Sequence, residues 1–211
     1  MNFYPVFLNI KNKKAVVVGG GKVAERKVLS LLRAGADVTV VSPSITERLR
    51  KVFSQKKISY LQRPYKKGDL RGAFLVIAAT DSPKTNQRIS RDSPALVNVV
   101  DVPELCNFIA PSVVARDPLL IAISTSGASP AFSSSVRKEL EKLYGPDFSD
   151  YLKFVKKVRE KAMKVVPQQG KRADFLKSLS SEETLKVLHK GGVEGVKERV
   201  LARLAKLGPA L

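Results

Sequence analysis

Histidine occurs once, at His189, cysteine once, at Cys106, and tryptophan not at all. One thiol excludes a disulfide framework and a thiolate metal cluster. One imidazole, in a stretch that reads as a late helical tail, argues against a Ser-His-Asp triad and against a histidine-based metal site. Apolar runs are short, none near the ~20 residues that cross a bilayer. Met1 to Ile10 is too short and too mixed to hold the apolar centre of a signal peptide. These absences predict a protein of a reducing cytoplasm with no resident metal and no membrane attachment.

Acidic residues are also scarce. Against 38 lysines and arginines stand 19 aspartates and glutamates, a formal charge of +19 over 211 residues. The excess is spread out, with 20 basic and 9 acidic side chains in residues 1–130 and 18 and 10 in the remainder. Nucleic acid, an anionic membrane surface or a multiply anionic small molecule can each use such a field, and a lysine-rich surface with no partner is the plainer reading. Basic runs interleaved with aromatics, helix-turn-helix patterns and RNP patterns are missing, which argues against nucleic acid. With 44% hydrophobic residues the chain has enough apolar material for a sizeable core.

Glycine, in contrast, is concentrated where it carries information. Ala15 to Val18 is a short apolar run that enters Gly19, Gly20 and Gly21, after which Val23, Ala24, Val28, Leu31 and Leu32 recur at helical spacing. Strand, tight turn and helix follow one another, and Gly19, Gly21 and Ala24 fit G-x-G-x-x-[GA]. In that pattern the first glycine allows the turn, the second admits a pyrophosphate to the backbone, and the third small residue lets helix lie on strand. An anion there meets the free N–H groups of a helix N-terminus. An ordinary glycine turn is the competing reading, but Gly35 at the expected helix stop and a second strand, Val38 to Val41, support dinucleotide binding.

Further along, Phe3 to Ile10 reads as an extended edge segment, and Ser44-Ile45-Thr46-Glu47 as a capping box opening a helix that buries Ile45, Leu49, Val52 and Phe53. Ile58 to Leu61, Phe74 to Ala79 and Leu96 to Val100 read as further strands, with a helix holding Asn86, Gln87 and Ile89 before the last. Alternating strands and helices predict an α/β fold, a doubly wound parallel sheet, over residues 1–105. Phe108 to Val114 and Leu119 to Ser124 flank Arg116-Asp117-Pro118 as a hairpin. A helix with Val136, Leu140 and Leu143 follows. A hairpin and one helix bury little alone, so residues 106–146 are expected to pack on the parallel-sheet domain or on a second subunit. Residues 147–211 read as a helical domain, broken at Pro167 to Gly170, with Ser180 and Glu183 capping one helix and Gly191-Gly192 separating the last two.

Ligands of such sheets sit at the carboxyl ends of the strands. After the second strand, Ser42-Pro43-Ser44 stands where a ribose-binding carboxylate is usual, so hydroxyls and backbone groups are left to reach the ribose. Thr80 and Asp81 follow the fourth strand, Asp81 reading equally as a helix cap. Asp101 follows the fifth, next to Pro103, and is not placed to cap a helix. Ser124, Thr125, Ser126 and Ser129 around Gly127 read either as a hydroxyl and amide nest for an anion or as a plain strand-to-helix connection. Cys106 reads as a small buried residue.

Tyr4-Pro5-Val6, Val18 to Lys27, Ala78 to Asp81, Asn98 to Asp101, Phe108 to Ser112 and Ser124 to Pro130 together resemble the precorrin-2 dehydrogenase and sirohydrochlorin ferrochelatase family of siroheme synthesis. The ordered set is far more specific than the glycine turn alone. The methyltransferase of fused members finds no match, so the resemblance implies the stand-alone form. It implies a homodimer made of a Rossmann domain (1–105), a dimerisation segment (106–146) and a helical domain (147–211). It also implies NAD as cofactor and a tetrapyrrole polycarboxylate, precorrin-2, as substrate, with iron insertion as a second activity in some members. By resemblance Asp101 is the catalytic residue. Gly19, Gly21, Lys22, Val23, Ser42, Pro43, Ser44, Thr80 and Asp81 are expected at the cofactor, and Ser124, Thr125, Ser126 and Gly127 at the substrate. Thr125 stands where fused members carry a serine reported as modified. The competing function is a nucleotide-sensing Rossmann module without catalysis.

Overall fold

The computed structural model describes residues 3–190 and 192–207. The chain divides into two compact units, Met1–Ala110 and Pro111–Leu211. Among the described residues no helix is long and apolar enough to cross a membrane.

In the first unit five parallel strands form one sheet: β1 (Lys14–Val18), β2 (Asp37–Val41), β3 (Ser59–Leu61), β4 (Leu75–Ala78) and β5 (Leu96–Val99), in the order β3-β2-β1-β4-β5. Helices α1 (Lys22–Arg33), α2 (Glu47–Ser54) and α3 (Pro83–Asp92) connect them. Val17, Val40 and Ile77 point to one face and pack with Ala24, Val28 and Leu31 of α1 and Leu49 of α2. Val16, Val41, Val76 and Val99 point to the other, where Ile89 of α3 covers them. Both faces are covered, which is why the strands are near-continuous valine and isoleucine instead of alternating. Each such side chain contributes about 1.5–3 kcal/mol by leaving water. The strand order reverses between β1 and β4, and the loops at the carboxyl ends of those strands open there.

Local chemistry sets most element ends, and in several places the structure departs from the sequence expectation. Residues 3–10 join no strand, and Tyr4 and Phe7 are exposed. Helix α2 begins two residues later than the capping box predicts: Thr46, not Ser44, is its N-cap, accepting from the Leu49 amide at 3.2 Å. The reason is tertiary, because the Thr46 amide donates to the Gly20 carbonyl at 3.0 Å and draws the preceding residues over the glycine turn. Leu49 is fully buried as expected, but Phe53 is exposed at the outer end of α2. Gly35 does stop α1, at φ +79°, a conformation that glycine adopts without a steric cost.

The second unit opens with the hairpin β6 (Ser112–Arg116) and β7 (Leu119–Ile123), antiparallel with Arg116 opposite Leu119. Its first strand starts at Ser112, later than the Phe108 expected, because Asn107 and Phe108 bond back to the β5 segment. Helices α4 (Pro130–Leu143), α5 (Pro146–Val165), α6 (Gln169–Ser178), α7 (Glu182–His189) and α8 (Val193–Leu207) follow. The hairpin packs on α4 and α5 within its own unit. Phe148, Tyr151, Leu188 and Val196 form one helical core, with Leu119 of β7 and Tyr144 against it, and Val158, Ala162, Phe175 and Leu204 form another. Ser181, not Ser180, caps α7. Gly191 lies outside the described residues. His189 is an aromatic packing residue, its ring 5.7 Å from Tyr144 and 5.3 Å from Phe148.

Candidate cofactor site

A cavity of about 980 Å³ lies at the carboxyl ends of the strands of the first unit. Gly19, Gly21, Lys22 and Val23 line it after β1, Ser42, Pro43 and Ser44 after β2, Thr80 and Asp81 after β4, and Asp101 after β5. Every cofactor residue expected from the sequence, and the expected catalytic aspartate, therefore border one space. Another, smaller cavity of about 410 Å³ lies among α6, α7 and α8 and is bordered by Glu183, Arg199 and Arg203. It has no glycine cradle.

The three glycines have three different reasons. Gly19 sits at φ +125°, and a Cβ there would strike the Ala79 carbonyl. At Gly20 a Cβ would strike the Ser44 carbonyl. Gly21 has open space around it and is the N-cap of α1, with no side chain capping the helix. The first-turn amides of α1 thus lack intrahelical partners and line the cavity, an arrangement suited to a phosphate. Ala24, fully buried, brings α1 onto the sheet.

The loop after β2 is held from both sides. Besides the Thr46 amide bond to Gly20, the Thr46 hydroxyl donates to Glu25 of α1 at 2.6 Å, and Arg48 lies 3.7 Å from the same carboxylate. Ser42-Pro43-Ser44 carries no carboxylate and borders the cavity with hydroxyls and backbone groups. After β4, the Thr80 hydroxyl donates to Asn86 Oδ1 at 2.7 Å, and Asn86 Nδ2 donates back to the Thr80 carbonyl at 3.0 Å. Ser82 caps α3, which leaves Asp81 exposed at the cavity instead of spent on the helix.

Asp101 adopts φ +60°, a left-handed conformation that aspartate tolerates better than most residues. It is exposed, five residues before Cys106, whose single S–H lies within donating distance of both the Val99 and the Val102 carbonyl, at 3.2 and 3.3 Å, and ties the two ends of the loop. Burial pulls the Lys27 ammonium of α1 below its ordinary value, Arg26 adds to this, and Asp101 and Cys106 draw it back. At the β3 end of the cavity Pro64, Tyr65 and Arg88 form the wall. The Arg88 guanidinium carbon lies 5.3 Å from the Tyr65 ring centroid, and the Tyr65 hydroxyl donates to Asp92 at 3.1 Å. Burial, then that hydrogen bond, pushes the Tyr65 phenol up to about 12.

The sequence reading missed Gly20, Glu25, Asn86, Tyr65 and Arg88. A third glycine in a row was the only signal for the first. Glu25, Tyr65 and Arg88 act through contacts between distant segments, and Asn86 through its bonds back to Thr80, six residues earlier, none of which a local pattern displays. Ser124, Thr125, Ser126 and Gly127 lie in the second unit, between β7 and α4. There the Thr125 hydroxyl donates to the Ser129 carbonyl and accepts from the Ser129 amide, at 3.1 and 3.0 Å, while Ser126 and Gly127 take positive φ.

A parallel sheet with a glycine turn and an uncapped helix start at its switch point defines a dinucleotide-binding protein of the Rossmann type. Residues 6–112, half of the chain, match the family described as "Putative NAD(P)-binding", and the chain belongs to that family. Residues 116–143 match the family described as "Sirohaem biosynthesis protein central". The siroheme synthase of Methylobacillus flagellatus is 42% identical over 163 residues, 76% of this chain and 35% of that protein. The siroheme synthase of Nitrosomonas eutropha is 35% identical over 208 residues, 97% of this chain and 44% of that protein. The chain thus spans less than half the length of these curated relatives. Among solved structures, "SirC, precorrin-2 dehydrogenase" superposes with a TM-score of 0.82 at 24% identity, covering 97% of this chain and 100% of that one, and so shares its fold. The family resemblance read from the motifs and the relatives found by comparison coincide.

Proposed function

We propose that the protein oxidises precorrin-2 to sirohydrochlorin with NAD as the hydride acceptor, as a cytoplasmic homodimer serving siroheme biosynthesis. The observation that carries this reading is the convergence of the glycine turn, the loops after β2 and β4, and Asp101 on one cavity. The residues fit the cofactor: the first-turn amides of α1 are uncapped and the space beside Gly21 is open. Gly19, Gly21, Lys22 and Val23 would hold the pyrophosphate, Ser42, Pro43 and Ser44 the ribose, and Thr80 and Asp81 the nicotinamide side. Bound there, NAD supplies a two-electron hydride acceptor. The oxidation removes one hydride and one proton from the substrate, and the Asp101 carboxylate accepts the proton.

Charge supports the choice of substrate. A net +19 attracts a tetrapyrrole polycarboxylate and raises its encounter rate. In this reading Ser124, Thr125, Ser126 and Gly127 bind a substrate carboxylate, residues 106–146 form the dimer contact, and no resident metal is required. Incubating the purified protein with precorrin-2 and NAD while following the tetrapyrrole spectrum and NADH tests it. Joint appearance of sirohydrochlorin and NADH is expected. Nucleotide binding with no conversion would assign the chain to nucleotide sensing instead.

A further inference from the structure

We propose that Arg88 recognises the adenine of the dinucleotide, which lies on the face of the guanidinium opposite Tyr65. The assignment rests on the reading of the cavity as a dinucleotide site, and deepens it. The sheet order sets the direction. Asp101 follows β5 at one edge, the glycine turn follows β1 in the middle, and Pro64 and Tyr65 follow β3 at the other edge. A hydride acceptor must lie beside the base that takes the proton, so the nicotinamide belongs at the Asp101 end. With the pyrophosphate at the glycines, the adenine falls at the β3 end, where Arg88 and Tyr65 form the wall.

Arg88 is built as a platform. Tyr65 is buried, 8% exposed, and its hydroxyl is anchored on Asp92, so the ring that supports the guanidinium is fixed. The guanidinium carbon lies over that ring, 5.3 Å from its centroid, and Arg88 is exposed at the cavity. Among the described residues Arg88 makes no ion pair with a carboxylate. A planar cation placed over an aromatic ring and open to the cavity matches the flat π-surface of a purine. Lysine carries the same charge but has no plane.

Calorimetric titration of the full chain with ADP-ribose and with nicotinamide mononucleotide tests this. Arg88→Ala is expected to weaken ADP-ribose by about tenfold, the scale of base stacking on a side chain, and to leave the mononucleotide unchanged. Arg88→Lys is expected to recover little of the loss. Melting temperatures of both variants report folding, and Arg88→Lys carries the test if the alanine variant does not fold. Full affinity in Arg88→Lys, or equal losses on both ligands, would make Arg88 a source of charge alone and overturn the assignment. Unmodified protein that binds no ADP-ribose would overturn the cofactor reading together with it, whereas unmodified protein that binds ADP-ribose, with no loss in either Arg88 variant, overturns the assignment alone.

Discussion

The hydroxyl of Thr46 donates a 2.6 Å hydrogen bond to Glu25, tying the N-cap of α2 to the first turn of α1, 21 residues earlier. Glu25 thereby does two things at once. Its negative charge sits near the positive end of the α1 dipole, and its carboxylate fixes the loop that carries Ser42, Pro43 and Ser44 over the glycine turn.

Breaking this link is expected to cost stability and cofactor affinity together. A hydrogen bond to a charged group contributes about 1.5–3 kcal/mol, and an N-cap about 1 kcal/mol more. Glu25→Ala and Thr46→Ala should each lower the free energy of unfolding by amounts in that range, measured in denaturant. The double variant should lose less than the sum, because both remove the same bond. Additive losses would show that the two side chains act independently.

Glycine substitutions should separate folding from binding. At Gly20 a Cβ would strike the Ser44 carbonyl, which is backbone, so Gly20→Ala should destabilise by about 1–3 kcal/mol as an overpacking change. Gly21 has ordinary φ of −79° and open space. Gly21→Ala should therefore fold like the parent but bind NAD at least several-fold more weakly, its methyl group standing where the pyrophosphate approaches. A Gly21→Ala protein with parental NAD affinity would move the phosphate away from this turn.

What was legible in the sequence was whatever depends on neighbours along the chain. The apolar runs of β1, β4 and β5 identified themselves as strands, and burial on both faces is what leaves them little room for polar alternation. Strand ends pointed to Ser42, Thr80, Asp81 and Asp101 because loops at that edge must line any ligand cleft. The start of α2 was not legible, since Ser44 and Thr46 are equally good caps and the Gly20 carbonyl, far back in the chain, decides between them. Ser180 and Ser181 pose the same ambiguity at α7. Arg88 and Tyr65 gave no signal at all, because their contact joins α3 to the segment after β3.

Two phenols should give the protein a specific weakness to alkali. Burial pushes Tyr65 and Tyr151 each up to about 12 from an ordinary 10.0, and Tyr151 also donates to the Leu179 carbonyl at 2.7 Å. The fold favours the neutral phenol, so this contribution to stability is complete below about pH 10 and is lost as pH rises through about 12. Tyrosinate absorbance and circular dichroism should show late ionisation coupled to unfolding in that window. Tyr65→Phe and Tyr151→Phe should each flatten the alkaline loss. A pH profile unchanged in the double variant would locate the weakness elsewhere.

Asp101 is best tested by asparagine. The residue holds φ +60°, so replacement by alanine mixes two effects, loss of the carboxylate and strain of about 1 kcal/mol or more in a conformation that β-carbon-bearing residues avoid. Asparagine tolerates the left-handed region as aspartate does, is nearly isosteric, and cannot take a proton. Asp101→Asn is therefore expected to keep the melting temperature and NAD affinity of the parent while the rate of precorrin-2 oxidation falls by ~10² to 10⁴, the usual loss on removing a general base. Asp101→Ala should show the same rate loss with a lower melting temperature. Oxidation at the parental rate by folded Asp101→Asn protein would place the base on another side chain, and Lys27, whose ammonium is held below its ordinary value in the electrostatic range of Asp101, would be the next to replace.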